Sequence, residues 1–230
     1  MESIIEIFTA EFWGKYGNLL LNGIWDTFVM VGISTVLAYI IGLPLGVLLI
    51  LTGEHGIRPH KIFNQILAWI INVGRSLPFI ILMISITGFT RLLVGTYIGV
   101  KGAVVPLVIS AAPFIARMVE TSLAEVDSGV IEAAQSMGAS TFQIVWKVYL
   151  PEAMPSLILG GSISVITILA YTAIAGAVGA GGLGDLAIRY GYNRKVDSMM
   201  LVTVVLLIVL VQIIQSVFSR LSVKIDKRLK

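Results

Sequence analysis

Three stretches of this sequence carry residue types and spacings that could do chemistry. The first is Glu132-Ala133-Ala134-Gln135-Ser136-Met137-Gly138, followed after nine residues by Val148-Tyr149-Leu150-Pro151. It is a polar interruption between apolar runs, with the character of a docking element. The second, Gly179-Ala180-Gly181-Gly182-Leu183-Gly184, fits the G-x-G-x-x-G pattern of dinucleotide-binding turns. That chemistry needs a short strand before the glycines and a βαβ unit around them, and here an apolar run of membrane-spanning length precedes them. The third is Arg75-Ser76-Leu77-Pro78, a cation and a helix breaker inside an apolar run. No G-x-x-x-x-G-K-[ST] sequence occurs. Gly95 to Lys101 comes nearest and fails on spacing and on its last residue, so the chain is not expected to hydrolyse ATP.

The elements that hold these stretches are set by composition. Of 230 residues, 57% are apolar and 13% charged, and the mean hydropathy is +0.96. Such a chain is an all-α integral membrane protein rather than a soluble domain. There is no Cys, which excludes disulfides and Cys-based metal or redox sites, and no metal site is expected. The net charge of +3 invites a nucleic-acid reading, but the basic residues cluster beside apolar runs, as the positive-inside bias predicts. Glu2, Glu6 and Glu11 precede the first basic residue, Lys15, the reverse of a signal peptide. Ile4, Ile5, Phe8, Phe12, Tyr16, Leu19 and Leu20 recur at helical spacing, which suggests an amphipathic helix lying in the membrane interface. The plainer alternative is a short packing helix.

Five spans are expected, at about 24–52, 62–94, 102–122, 156–178 and 198–220, within a single membrane domain over 1–230. Gly42 and Gly46 in the first span leave a flat strip for a neighbouring helix. Pro78 is expected to kink the second. Only 15 residues separate Lys101 from Arg117, so the third span extends past Arg117 or is buried in protein. The charge-free run from Ala153 to Gly184 has 32 residues, about 48 Å as helix. Its glycine-rich end is therefore a loop or broken helix outside the core.

An odd number of spans puts the termini on opposite sides. Placing the C-terminal tail (Arg220, Lys224, Lys227, Arg228, Lys230), the 53–61 loop and the 117–155 segment inside gives nine Lys/Arg there against six outside. The N-terminus is thus expected outside, and the 132–151 stretch in the cytoplasm. That stretch reads as two short helices about a turn. Gly129 starts the first, with Glu132 in its first turn facing the helix dipole. Gly138 ends it in a left-handed conformation, and Ser140 with Gln143 has the spacing of a capping box for the second. Leu150-Pro151 and Pro155 mark the re-entry into the fourth span. An interfacial hairpin is the plain alternative, but Ala133-Ala134 makes a smooth face suited to a groove in a partner.

Glu-Ala-Ala, three residues, Gly, nine residues, an aliphatic residue, one residue, Leu-Pro resembles the EAA signature of permease subunits in binding-protein-dependent ABC importers, with Val148 for the usual Ile. Arg75-Ser76-Leu77-Pro78-Phe79 resembles the Arg-Ser-x-Pro segment of amino-acid importer permeases. Gly176 to Gly184 followed by Tyr190-Gly191-Tyr192 is most similar to the methionine-importer branch. The resemblance implies a coupling helix between spans three and four. Glu132, Ala133, Ala134 and Gly138 would be its contacts with an ATPase, and Leu150 and Pro151 would fix its exit. It further implies a homodimer in a bacterial cytoplasmic membrane with two ABC ATPase subunits that bind ATP and Mg, and an extracytoplasmic binding protein or lipoprotein. The chain itself would carry no cofactor and no catalytic residue.

Two other functions compete: a permease of the same superfamily for another amino acid or small polar solute, and an ion-coupled secondary transporter. The second usually needs acidic or His residues within spans, and spans one, two, four and five contain none in their interiors. Arg75 either pairs inside the protein near a gate or snorkels inward. Pro78, Tyr171 and Ile174 are the remaining candidates for a gate or path, with helix packing as the alternative for each. Gly179, Gly181, Gly182 and Gly184 form either a flexible outer loop, closing a gate or touching a delivered protein, or a close-packed patch.

Overall fold

The structure, a computed structural model, describes residues 6–225. Ile4 and Ile5 of the expected N-terminal helix, and Lys227, Arg228 and Lys230 of the basic tail, lie outside the described residues. Every regular element among the described residues is helical. In order these are α1 (Ala10–Thr52), α2 (Lys61–Ser76), α3 (Phe79–Ser85), α4 (Thr87–Val94), α5 (Gly99–Ala124), α6 (Ser128–Ser136) and α7 (Thr141–Ile144). A π-helical segment (Val145–Tyr149), α8 (Leu150–Glu152), α9 (Met154–Gly176), α10 (Gly182–Leu186), a second π-helical segment (Ala187–Tyr192) and α11 (Asp197–Ile225) follow. Helices α1, α5, α9 and α11 are each long and apolar enough to cross a membrane, and α2 with α3 makes a fifth crossing if that bent pair is one span.

Two sequence expectations are corrected here. From Ala10 onward the expected amphipathic segment is not separate from the first span: α1 is one helix of 43 residues, about 65 Å long. Its N-terminal face is buried in protein instead, with Phe12, Tyr16 and Leu20 packed on Leu186, Met199 and Val202, while Phe8 stays exposed. The second span is broken rather than kinked. The axes of α2 and α3 differ by 98°. Leu77 is extended at φ −82°, ψ 124°, as the residue before proline prefers, and Pro78 is extended too at φ −57°, ψ 132°. Two consecutive non-helical residues turn the chain far more than one missing hydrogen bond would.

Contacts group the chain into two compact units: residues 6–36, 78–109 and 165–214 in the first, and 37–77, 110–164 and 215–225 in the second. In the first unit, the Phe12–Leu186–Met199 cluster forms a core, edged by Tyr190, whose ring meets that of Tyr16 at 5.9 Å. In the second unit, Leu49, Ile71 and Ala116 form a core from α1, α2 and α5. The expected glycine strip seats that contact. A Cβ on Gly42 would lie 2.8 Å from the Ala112 carbonyl oxygen, and one on Gly46 2.5 Å from that of Ala116. The helices approach this closely because neither glycine has a side chain. Ile71 is the buried residue of α2, whereas Ile62, Ile66, Trp69 and Ile70 point outward, as lipid-facing residues do. The hydroxyls of Thr27, Ser164 and Thr203 bond back to the carbonyls of Gly23, Gly160 and Met199 one turn earlier, so these three stay satisfied without water.

Candidate functional site

The polar stretch singled out in the sequence folds as two short helices. Asp127, not Gly129, caps the first: its carboxylate oxygen accepts from the Gly129 N–H at 2.8 Å. An Asp side chain supplies the acceptor that glycine lacks. The helix therefore begins at Ser128, and its first turn holds no acidic residue. Glu132 sits one turn further on, exposed, without the dipole support expected for it. Ala133 is exposed, but Ala134 is turned into the protein at 5% exposure, so the smooth outward face is made by Ala133 alone.

Gly138 ends the helix at φ +77°. Its N–H donates to the Gln135 carbonyl at 2.9 Å, and that of Ala139 to the Ala134 carbonyl at 3.1 Å. This pair of bonds is a Schellman closure, which needs a left-handed residue at that position. Ser140 and Gln143 form the capping box expected from their spacing: the Ser140 N–H donates to the Gln143 amide oxygen at 2.8 Å, and the Gln143 N–H to the Ser140 hydroxyl at 3.4 Å. Ile144 is buried and anchors the second helix.

Three features here go beyond the sequence reading, in which Phe142, Ile144, Val145 and Val148 supply an apolar surface. The Arg58 Nε–H donates to the Thr141 hydroxyl at 3.0 Å, tying the stretch to the turn after α1. That turn is itself fixed, because the Asn64 amide donates to the Leu49 carbonyl and the Thr52 hydroxyl. The rings of Phe142 and Trp146, four residues apart, stack at 6.3 Å and 6°, and with Met137 they form an exposed apolar surface. The i,i+4 aromatic spacing was the available sign of this pair. Third, the chain widens into a π turn over Val145–Tyr149. Pro151 cannot donate to the carbonyl four residues back, and the widening falls immediately before it. Tyr149 is buried there, which pushes its phenol above the ordinary value and keeps it neutral at physiological pH. Leu150 is half-buried and Pro151 exposed where the chain turns into α9.

The gate candidates are partly brought together. Phe79, directly after Pro78, lies flat on Tyr171 of α9, with ring centroids 4.6 Å apart and planes 1° from parallel. Ile174, one turn further along α9, is 39% exposed. Arg75 is in the last turn of α2, exposed, and has no ion-pair or side-chain hydrogen-bond partner among the described residues.

The glycine-rich stretch is a packed corner, not the flexible loop that was one of two expectations. Gly176, Gly182 and Gly184 are buried. A Cβ on Gly184 would lie 2.5 Å from the Ala173 Cα, and one on Gly182 2.7 Å from the Thr27 hydroxyl. That hydroxyl accepts from the Leu183 N–H at 2.9 Å. Gly179, Gly181 and Gly182 all have positive φ, and the Gly179 carbonyl accepts from the Gly99 N–H at 2.9 Å. Backbone pressed on backbone at several points fixes this corner.

Comparison with known proteins bears on this arrangement. The family described as binding-protein-dependent transport system inner membrane component matches residues 42–230. A probable D-methionine transport system permease protein of Vibrio cholerae is 48% identical over 95% of this chain and 97% of its own length. A methionine import system permease protein of Bacillus subtilis is 47% identical over 79% of this chain and 82% of its own. Among solved structures, a chain of the inward-facing MetNI methionine ABC transporter superposes with a TM-score of 0.91 at 44% identity, covering 92% of this chain and 98% of that one. An amino acid ABC transporter chain at 19% identity shares the fold, with a TM-score of 0.75.

Proposed function

Because the chain belongs to the family of binding-protein-dependent transport system inner membrane components, we propose that it is the permease subunit of an ATP-driven importer of methionine. It is an integral protein of the bacterial inner membrane, and its role is transport. The observation that carries the substrate is the identity to methionine permeases over nearly the full length of both chains.

In this reading residues 1–230 act as one transmembrane domain with the N-terminus outside and the C-terminus in the cytoplasm, as the basic residues favour. The 128–151 stretch is the coupling segment and seats in a groove of an ATPase subunit. Glu132, Ala133 and Gly138 face the ATPase, Ala134 locks the first helix to the permease body, and Leu150-Pro151 set the exit into α9. The geometry supports this role because both helices are capped and the turn between them is closed by hydrogen bonds. A rigid element transmits a displacement, and a frayed one absorbs it. ATP and Mg belong to the ATPase pair, a second permease copy completes the pathway, and an extracytoplasmic protein delivers the substrate. Phe79 with Tyr171, beside Ile174, forms an apolar constriction, and the glycine corner is a rigid part of the outer surface.

The test is uptake of labelled methionine into vesicles that carry the chain with and without its ATPase partner. Uptake requires the partner and collapses on ATP depletion. Uptake by the purified chain alone on a proton gradient would support an ion-coupled carrier instead.

A further inference from the structure

Arg75 stands out within the second unit. A guanidinium in a spanning helix is expensive unless it is paired or faces a polar cavity, and no partner is present among the described residues. It borders a hollow of about 470 Å³ lined, besides Arg75 itself, by the second half of α5 and the first half of α9. Phe114, Met118, Leu159 and Ile163 give the hollow apolar walls. Gly160 leaves room for the thioether of Met118, since a Cβ at that position would collide with the sulfur.

The other charges around the hollow are differently placed. Arg117 is already engaged, donating to Glu120 at 2.6 Å and to the Asn72 amide oxygen at 3.0 Å. Glu125 lies eight residues beyond Arg117, about 12 Å further along the chain. Asn72, just before Arg75 on α2, is bonded to Arg117, and Gly74 lies against Pro113, so Arg75 and Glu125 stand at opposite ends of the hollow. At its own end Arg75 is therefore a free cation next to apolar side chains.

From this we infer that the hollow is a binding site on the inner side of the transport path. Arg75 receives the α-carboxylate of the substrate, and Phe114, Met118, Leu159 and Ile163 hold its apolar side chain. The ligand class is a carboxylate with an unbranched apolar side chain, and methionine falls within it. The inference rests on the proposed import function and adds to it a substrate contact within the permease. A carboxylate paired with a guanidinium is a charge-assisted contact, whereas an uncharged amide of the same shape leaves the cation unpaired.

The experiment is equilibrium binding of labelled methionine to the nucleotide-free permease–ATPase complex, without the delivery protein. Methionine and methioninamide serve as competitors against wild type, Arg75→Gln and Arg75→Lys. The wild type is expected to prefer methionine over the amide, and Arg75→Gln to lose at least about tenfold in methionine affinity together with that preference. Arg75→Lys keeps part of both. A site elsewhere in the complex would leave affinity and preference the same in Arg75→Gln as in wild type, and that result overturns the assignment. So does a wild-type complex that imports methionine but binds none in this state. If Arg75→Gln does not assemble, Gly160→Val reports instead: its side chain displaces Met118 into the hollow and is expected to weaken binding of methionine and amide alike, and unchanged binding would overturn the site. Failure of the wild type to import methionine at all would fault the proposed function rather than this site.

Discussion

The Arg58 Nε–H donates to the Thr141 hydroxyl at 3.0 Å, across 83 residues of sequence. This contact ties the start of α7 to the turn between α1 and α2. In the proposed coupling role, movement of the 128–151 segment would be carried to α1 and α2, as well as to α9 through Pro151. The bond is exposed, so its worth to stability is about 1 kcal/mol or less. Thr141→Val is expected to accumulate in the membrane as wild type does, yet to import fewer substrate molecules per ATP hydrolysed. Simultaneous measurement of uptake and hydrolysis in vesicles gives that ratio, and an unchanged ratio removes the tie from the account.

The turn at Gly138 sits at φ +77° with open space where a Cβ would go. Only the backbone conformation is therefore at stake, not crowding. Asn tolerates the left-handed region and a β-branched residue does not, the penalty being on the order of 1–2 kcal/mol. Gly138→Asn is expected to retain the ATPase on purification and Gly138→Val to lose much of it. Equal retention in the two variants would mean that the turn conformation is not what the partner reads.

Much of this segment was legible in the sequence. The Ser140/Gln143 spacing and the position of Gly138 gave the capping box and the turn, because both are local chemistry. The burial of Ala134 was not legible, since it depends on what the helix packs against. Nor was the start of α1, where the pattern at Phe12, Tyr16 and Leu20 looks the same whether lipid interface or protein covers it. A kink at Pro78 was foreseen and a break was not: a 98° turn needs Leu77 and Pro78 extended together. The glycine pattern at 179–184 admitted a loop or a packed patch, and the close contacts with the Ala173 backbone and the Thr27 hydroxyl favour the patch.

The stacked Phe79 and Tyr171 rings join α3 to α9 at the broken span. An aromatic pair of this kind contributes about 0.5–1.5 kcal/mol beyond buried area. Tyr171→Phe keeps the stack and is expected to behave as wild type. Phe79→Ala and Tyr171→Ala each lower thermal stability in detergent, and the double variant loses less than their sum by about 1 kcal/mol. Strict additivity would show that the rings touch without coupling.

Gly184→Ala introduces a Cβ against the backbone of Ala173. Backbone cannot yield as a side chain end can, so a loss of more than about 1 kcal/mol is expected, seen as a lower yield of folded protein. Adding Ala173→Gly does not rescue it, because the obstructing atoms are main-chain. Rescue by that second change would place the conflict with the Ala173 side chain instead.

The central claim is that this chain converts a partner's ATP cycle into methionine movement through residues 128–151. Its most direct test is methionine uptake by vesicles holding the permease–ATPase complex, the binding protein and internal ATP, comparing wild type with Glu132→Lys. The account predicts ATP-dependent uptake in the wild type. In Glu132→Lys it predicts uptake reduced at least about tenfold relative to hydrolysis, with the permease still inserted in the membrane. Undiminished, ATP-coupled uptake in Glu132→Lys, or wild-type uptake that persists without the ATPase, would contradict it.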